Sequence, residues 1–263
     1  MRNLSHIGRI FYAVAIAGIG LQSIYAADFP YMLIPSPDSR IELLVYISGA
    51  ILFLAGACIL FEKKARSIAI LLGVALLLNF CIYYVPYEFF VIKNYMHLGE
   101  WENSEKELAL SAGAFVIAGC FPEKNKSSLI KFFARLIPAG VFLFGITILS
   151  FGIDHFLYAK DVAEYIPSFV PYHLFWTYVA GTALITSGIA IILKIKLRLA
   201  ATLLGTMIFI WFIILHIPKV ITADTANRGG EITSAFLALA YSGIAFVIAG
   251  FSKTRVSPLS KNC

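Results

Sequence analysis

The chain is dominated by apolar runs of about 20 residues, and these runs constrain its fold more than any other feature. A helix needs roughly 20 mostly apolar residues to cross the hydrocarbon core of a bilayer. Hydrophobic residues make up 60% of the 263 residues and charged residues 14%, with a mean hydropathy of +0.84. Eight runs are long enough: residues 10–27, 41–61, 67–86, 105–121, 136–153, 171–193, 199–217 and 232–251. The sequence therefore predicts an all-α integral membrane protein with eight transmembrane helices.

The fourth run is the weakest of the eight. Only Leu108 to Phe121 is free of charge, so a full-length helix must include polar residues that follow Asn103. Four acidic residues flank Trp101 before this apolar stretch: Glu100, Glu102, Glu105 and Glu107. We interpret them as a solvated acidic loop whose charge stabilises the N-terminus of the fourth helix.

The N-terminal run resembles a secretory signal, because Arg2 and Arg9 precede it. A cut after Ala26 would place Ile24 where the cleavage site prefers a small residue, and we therefore expect this helix to be retained. The cysteines are Cys58, Cys81, Cys120 and Cys263, and they form no CxxC pair. The sequence predicts neither a disulfide framework nor a cysteine metal site.

The basic residues alternate between the loops, which predicts the orientation of the chain. Fifteen of the 21 Lys and Arg residues fall in the N-terminus, the even-numbered connections and the C-terminal tail. The other six lie on the opposite side: Arg40, Lys93, Lys106, Lys160, Lys219 and Arg228. By the positive-inside rule both termini are cytoplasmic. The net charge of +6 is thus explained by topology and anionic lipid headgroups, and no nucleic-acid partner is predicted.

The chain also matches itself at an offset of 132 residues. Residues 46–86 align with residues 178–218 without a gap, and residues 114–119 match 245–250 after a slip of one residue. Because each copy holds four helices, both copies cross the membrane in the same direction. The expected architecture is two tandem four-helix bundles, residues 1–122 and 132–252. A basic linker (123–131) joins them, and a cytoplasmic tail (253–263) follows.

Several short motifs of the second half are typical of one family. They are Gly152-Ile153-Asp154-His155-Phe156, Pro167-Ser168-Phe169-Val170-Pro171, the pair Gly181 and Gly188, and His216-Ile217-Pro218. With these motifs the chain resembles the DoxX-like membrane proteins, a bacterial family built on a four-helix unit. The first half departs from the pattern, since Gln22 aligns with His155 and Tyr84 with His216. The resemblance implies a multi-pass protein of the bacterial inner membrane, in some members linked to oxidoreductases or to thiosulfate and quinone metabolism.

Polar residues collect at the outer ends of the fifth, sixth and seventh predicted spans. Asp154 and His155 end the fifth span, His173 opens the sixth, and His216 ends the seventh. Three imidazoles and a carboxylate converging there could ligate a metal or move protons. We interpret Asp154, His155 and His216 as candidate catalytic residues. Candidate substrate-binding residues are His173, Tyr158, Trp176 and Trp211.

A simpler interpretation is that these polar ends only meet headgroups and water. Tyr158, Trp176, Trp211 and Tyr84 are then the interfacial aromatic residues that membrane helices commonly carry. The candidate residues contain no HxxxH or HxxE pair, so no metal site is predicted and the cofactor is left open.

Three functions remain open from the sequence. An accessory subunit or partner of a membrane oxidoreductase complex fits the small number of ionisable groups inside the spans. An enzyme or binder for a quinone-type or isoprenoid-type molecule would use His155 or His216 as acid or base, oriented by Asp154. A transporter needs a polar path at mid-membrane, for which Asn79 and Gln22 are few. Membrane lipid is an expected partner in each case.

Overall fold

The structure is a computed structural model that describes residues 2–34, 42–93, 98–123 and 127–250. This part of the chain is helical and contains no strand. Its eight long helices and one short helix are numbered here in chain order. They are α1 Arg2–Ala26, α2 Glu42–Leu60, α3 Ala65–Ile92, α4 Leu98–Ala118, α5 Ser128–Leu157, α6 Ala159–Glu164, α7 His173–Ile192, α8 Leu197–Thr222 and α9 Arg228–Gly250.

Helices α3 and α8 each contain a widened, π-helical turn next to a proline. The turn is Phe80–Tyr84 in α3 and Phe212–His216 in α8, and Pro86 and Pro218 follow directly. A proline has no N–H to donate, and its ring crowds the carbonyl one turn earlier. A wider turn relieves that clash without ending the helix.

Seven of the described helices are long and apolar enough to cross a membrane, all except α4 and the short α6. They are the helices of a multi-pass membrane protein. The fourth predicted run, residues 105–121, lies on α4, which begins earlier, at Leu98. Helix α4 has 21 residues, but its first half carries four glutamates and a lysine, so its composition differs from that of the seven others. By length and composition, the structure thus supports seven of the eight predicted spans.

The long helices form a closed ring in which each packs on the next along the chain. Helix α9 closes the ring on α1, and this is the most extensive contact between any two helices. Helices α4 and α9 also touch each other across the centre. One continuous core contains buried residues from both halves of the chain. The two halves are therefore packed as one body, with α1 on α9 and α5 on α4.

Glycines allow the closest of these contacts. A Cβ atom on Gly8 of α1 would collide with the carbonyl oxygen of Gly243 on α9, and one on Gly243 with that of Gly8. A Cβ on Gly140 of α5 would meet the carbonyl oxygen of Ala112 on α4 in the same manner. Small residues at such crossings let backbones approach in a membrane, where packing rather than the hydrophobic effect holds helices together.

The central and peripheral helices differ strongly in burial. In the apolar window of α9, 83% of residues are buried within the protein, against 17% for α8. Large exposed hydrophobic residues cover the peripheral helices, among them Leu43, Ile51, Leu203 and Ile210. Such a surface is suited to lipid rather than to water. Helices α4 and α9 therefore lie inside the ring, shielded from lipid by the other helices.

Two arginines hold the inner end of α4. Arg66 donates hydrogen bonds to the carbonyl oxygens of Ala118 (3.1 Å) and Phe121 (2.7 Å), which the helix end leaves without intrahelical partners. Arg9 pairs with Glu62 and stacks over the Phe121 ring at 5.1 Å. A cation at a helix C-terminus also opposes the negative end of the helix dipole. The inner end of α4 is thus fixed to α1 and α3.

Candidate functional site

The charged residues of α4 lie inside the helix ring. Glu102, Glu105, Lys106 and Glu107 occupy consecutive turns of this helix, and the Glu107 side chain is 0% exposed. The interpretation of the acidic stretch as a solvated loop is therefore wrong for Glu107. The helix begins at Leu98, because a chain that must cross between α3 and α5 satisfies its backbone groups within one helix.

Glu107 faces α3 and is held there by Asn79. The Asn79 amide nitrogen donates to Glu107 Oε1 and to the carbonyl oxygen of Leu33, both at 2.9 Å. Glu107 Oε2 is buried and has no hydrogen-bond partner among the described residues. Asn79 lies near the middle of α3, roughly 20 Å from either end at a rise of 1.5 Å per residue. A carboxyl group therefore sits deep inside the bundle with one oxygen unpaired.

A short segment between α1 and α2 covers this carboxyl on the side where α4 begins. We call residues 28–34 the cover segment. Its carbonyls at Tyr31 and Leu33 accept hydrogen bonds from Tyr84 (2.9 Å) and Asn79, both on α3. The Tyr31 hydroxyl lies 2.9 Å from Ser234 Oγ of α9. Met32 is fully buried. The cover segment is thus pinned to both α3 and α9.

The opposite face of α4 carries a second acidic group. Glu105 Oε1 accepts a hydrogen bond of 2.6 Å from Ser150 of α5, while Glu105 Oε2 is buried and unpaired within the described residues. One turn beyond Ser150, Asp154 is 8% exposed, and both its carboxyl oxygens are buried without a partner in the same part of the chain. Two carboxyl groups from neighbouring helices thus face the interior with unused acceptor atoms.

Lys106 is the cation of this region. Its ammonium group lies 2.6 Å from Glu102 and stands over the Tyr31 ring at 5.1 Å. It also interacts electrostatically with Glu105, Asp154 and His216. The side chain of Glu102 is 53% exposed and that of Lys106 19%. The pair therefore marks the point where the polar interior meets the outer surface.

The structure brings two predicted catalytic residues, Asp154 and His216, into the electrostatic environment of Lys106. His216 ends the π-helical turn of α8, and its buried Nδ1 has no partner among the described residues. His155 lies 2.7 Å from the carbonyl oxygen of Phe151 on its own helix and interacts with Glu102. Each group is thus tied to α4 or to its own helix.

The predicted substrate-binding residues are dispersed. His173 begins α7, and its carbonyl accepts a hydrogen bond from Thr177 at 3.1 Å. Tyr158 caps the end of α5. The rings of Trp176 and Trp211 meet edge to face with centroids 6.4 Å apart. In the described part of the chain no three His, Cys, Asp or Glu side chains are placed to hold a metal ion.

Sequence reasoning missed the buried residues Glu105, Lys106 and Glu107 because charge before an apolar run is usually solvated. It also interpreted Tyr84 as an interfacial aromatic, whereas the side chain is fully buried. One signal was available: the apolar stretch from Leu108 is too short to span, so a full-length helix has to include the charged residues before it.

No protein-family model, no curated protein and no solved structure matches this chain.

Proposed function

We propose that the chain crosses a bacterial inner membrane eight times, with α4 as the remaining span and both termini cytoplasmic. The 21 residues of α4 give about 30 Å of helix, the thickness of the hydrocarbon core. Its ionisable side chains at Glu105 and Glu107 point at α5 and α3 rather than at lipid. Charged groups within membrane helices generally face the interior of the bundle in this way.

The contacts also support a duplicated DoxX-like unit. Ser111 donates to the Gly73 carbonyl (2.7 Å) and Ser242 to the Gly205 carbonyl (2.9 Å), at positions 131 and 132 residues apart. A Cβ on Gly20 would meet Phe53 N, and one on Gly152 would meet Ile185 N, again at an interval of 132. This spacing favours Asp154 as the counterpart of Gln22.

For the biochemical role, we propose that the protein binds and releases protons at carboxyl groups buried in the membrane. Glu107 carries this proposal: it is fully buried, lies at mid-membrane depth on the Asn79 amide, and keeps one oxygen unpaired among the described residues. An ionised carboxylate is costly in such a place, so the group holds a proton or exchanges one. Ionisable residues inside membranes mark proton relays and ion pathways more often than structural contacts.

Proton exchange is compatible with the role expected from the family resemblance. Electron transfer to a lipid-soluble carrier is accompanied by uptake or release of protons, and a partner subunit of a membrane oxidoreductase complex can supply a protonatable group for it. We therefore propose a proton-handling partner of a membrane redox system. The alternative, a proton-linked carrier, would use the same carboxyl groups.

The test is the reaction of Glu107 with dicyclohexylcarbodiimide, an apolar reagent that modifies protonated carboxyl groups. In proteoliposomes we expect mass spectrometry to find Glu107 labelled at neutral pH and labelling to fall as the pH rises. Glu107→Gln abolishes the label, whereas Glu164→Gln, at an exposed carboxyl on α6, leaves it unchanged. Absence of labelling at every pH, with the protein folded, would overturn the proposal.

A second candidate function is binding of a lipid-soluble small molecule. A hollow of about 220 Å³ between α8 and α9 is lined only by apolar residues, among them Phe212, Ile217 and Phe236. His216, with its unpaired Nδ1, lies on the same stretch of α8. Mass spectrometry of co-purified lipids tests this: a stoichiometric molecule retained by the native chain should be lost from Ala235→Trp, which fills the hollow, and from His216→Ala.

A further inference from the structure

We propose that Glu107 exchanges its proton only with the outer aqueous phase, through movement of the cover segment, and that the inner half of the bundle is closed to it. The outer side is the one at which α1 ends and α4 begins. This inference rests on the proposed protonation of Glu107 and adds the route by which the proton arrives.

The inner half of α4 is sealed by apolar packing. Every residue from Ala109 to Ala118 is buried, and Phe115, Ile117 and Ala118 are 0% exposed. The single hydroxyl in this stretch, Ser111, donates to the Gly73 carbonyl. Eleven residues separate Glu107 from Ala118, which is about 16 Å of helix. Dry packing of this depth offers no chain of polar groups along which a proton could move inward.

The outer side is closed by a thinner barrier that is held by polar contacts. The hydrogen bonds from Tyr84 to the Tyr31 carbonyl and from Asn79 to the Leu33 carbonyl pin the cover segment directly above Glu107. Each such bond contributes only about 1 kcal/mol net. The cover segment is thus the part of the enclosure that opens at the lowest cost, since local opening follows the weakest set of contacts.

Charged and titratable groups surround this outer route on every packed element. The Tyr84 hydroxyl interacts electrostatically with Glu107, Glu88 and Tyr31. Beside the cover segment, Lys106 stands over the Tyr31 ring and pairs with the half-exposed Glu102. The groups are Tyr84 and Glu88 on α3, Tyr31 in the cover segment, Glu102, Glu105 and Lys106 on α4, Asp154 on α5, His216 on α8, Tyr241 on α9 and Tyr12 on α1. The inner side offers no comparable set among the described residues.

The experiment uses sealed proteoliposomes with a known protein orientation and separate buffers inside and outside. Dicyclohexylcarbodiimide enters through the lipid, so its reaction with Glu107 reports protonation and not access of the reagent. The outer and inner pH are changed one at a time, and labelling of Glu107 is followed over time. We expect labelling to follow the outer pH and to be independent of the inner pH.

Tyr84→Phe removes one bond that holds the cover segment and leaves the Asn79 contact to Glu107 in place. We expect the label to respond to a jump in outer pH about fivefold faster, the factor that one ordinary hydrogen bond represents. The matched control is Tyr12→Phe. Tyr12 is also fully buried and donates a single hydrogen bond, to the Leu110 carbonyl in the inner half (2.7 Å), so its loss should leave the outer response unchanged.

The possible outcomes separate this inference from the proposed function. Labelling that follows the inner pH, or both sides equally, would overturn outer access and leave proton binding intact. Labelling that follows neither pH would overturn the protonation of Glu107 itself. A Tyr84→Phe response no faster than that of Tyr12→Phe would show that the cover segment does not limit the exchange.

Discussion

Helix α1 packs on α9 in the same way that α5 packs on α4, yet the two interfaces carry different side chains. A Cβ on Gly8 would meet the carbonyl oxygen of residue 243 and the Cβ of residue 246, and one on Gly140 would meet the same atoms of residues 112 and 115. Further along, Gly18 faces the ring of Phe236. At the positions 132 and 131 residues away, Ser150 donates to Glu105.

The polar groups of the two interfaces are also satisfied to different degrees. In the α1–α9 interface, Gln22 accepts a hydrogen bond from Thr233 (2.9 Å) and donates to the Gly229 carbonyl (3.3 Å). In the α4–α5 interface, both oxygens of Asp154 and one of Glu105 are buried without a partner among the described residues. A structural polar contact is normally completed, because an unpaired buried group is costly. The comparison therefore indicates that α1–α9 holds the fold together, whereas α4–α5 also serves a function.

The largest expected effect comes from giving the α1–α9 interface the chemistry of α4–α5. The double variant Phe236→Glu, Gly18→Ser places a carboxyl group where the packing is apolar. We expect the free energy of unfolding in detergent micelles to fall by about 4 kcal/mol, since an unpaired charge inside the bundle is not compensated. An unchanged stability would mean that this interface tolerates charge as readily as α4–α5 does.

The second effect tests whether close backbone approach holds the ring closed. Gly8→Ala forces a methyl group against the Gly243 carbonyl, and we expect a loss of about 3 kcal/mol through overpacking. Gly230→Ala is the control, because nothing lies within 4 Å of a Cβ placed there. Both are measured by denaturant titration in micelles. Equal stabilities would contradict the close packing of α1 on α9.

A smaller effect is expected at the inner acid. Asn79→Leu removes the donor to Glu107 and to the Leu33 carbonyl, and the loss of two hydrogen bonds should cost about 2 kcal/mol. The same change combined with Glu107→Leu leaves no carboxyl to satisfy, so the double variant should regain most of that stability. A strictly additive double variant would show that the two side chains are not coupled.

The smallest effect is expected from the reverse exchange. Glu105→Phe with Ser150→Gly gives α4–α5 the side chains of α1–α9, and stability should stay within about 1 kcal/mol of the native value or rise, because an apolar pair often replaces a buried polar one without loss. The pH dependence of Glu107 labelling should persist. A severe loss of stability would mean that Glu105 is a structural group, which would remove the contrast between the two interfaces.

The sequence determined the membrane character and the approximate positions of the helices, since runs of about 20 apolar residues have few other solutions. Its weakest prediction was the fourth span, for which the apolar run alone was too short. The residues at the outer ends of α5 and α8 were also identified from sequence. Asp154 and His216 do lie in the electrostatic environment of Lys106, although the structure groups them with α4 rather than with His173 and Trp176.

Only the tertiary structure decided which charges are buried. Whether Glu107 meets water or Asn79 depends on the distance between α4 and α3, and that distance is set by residues far apart in the chain, such as Ser111 and Gly73. Likewise, the pairing of α1 with α9 follows from glycines that match only when both helices are brought together. Hydropathy and charge spacing are local properties, whereas burial of a carboxyl group is a property of the assembled ring.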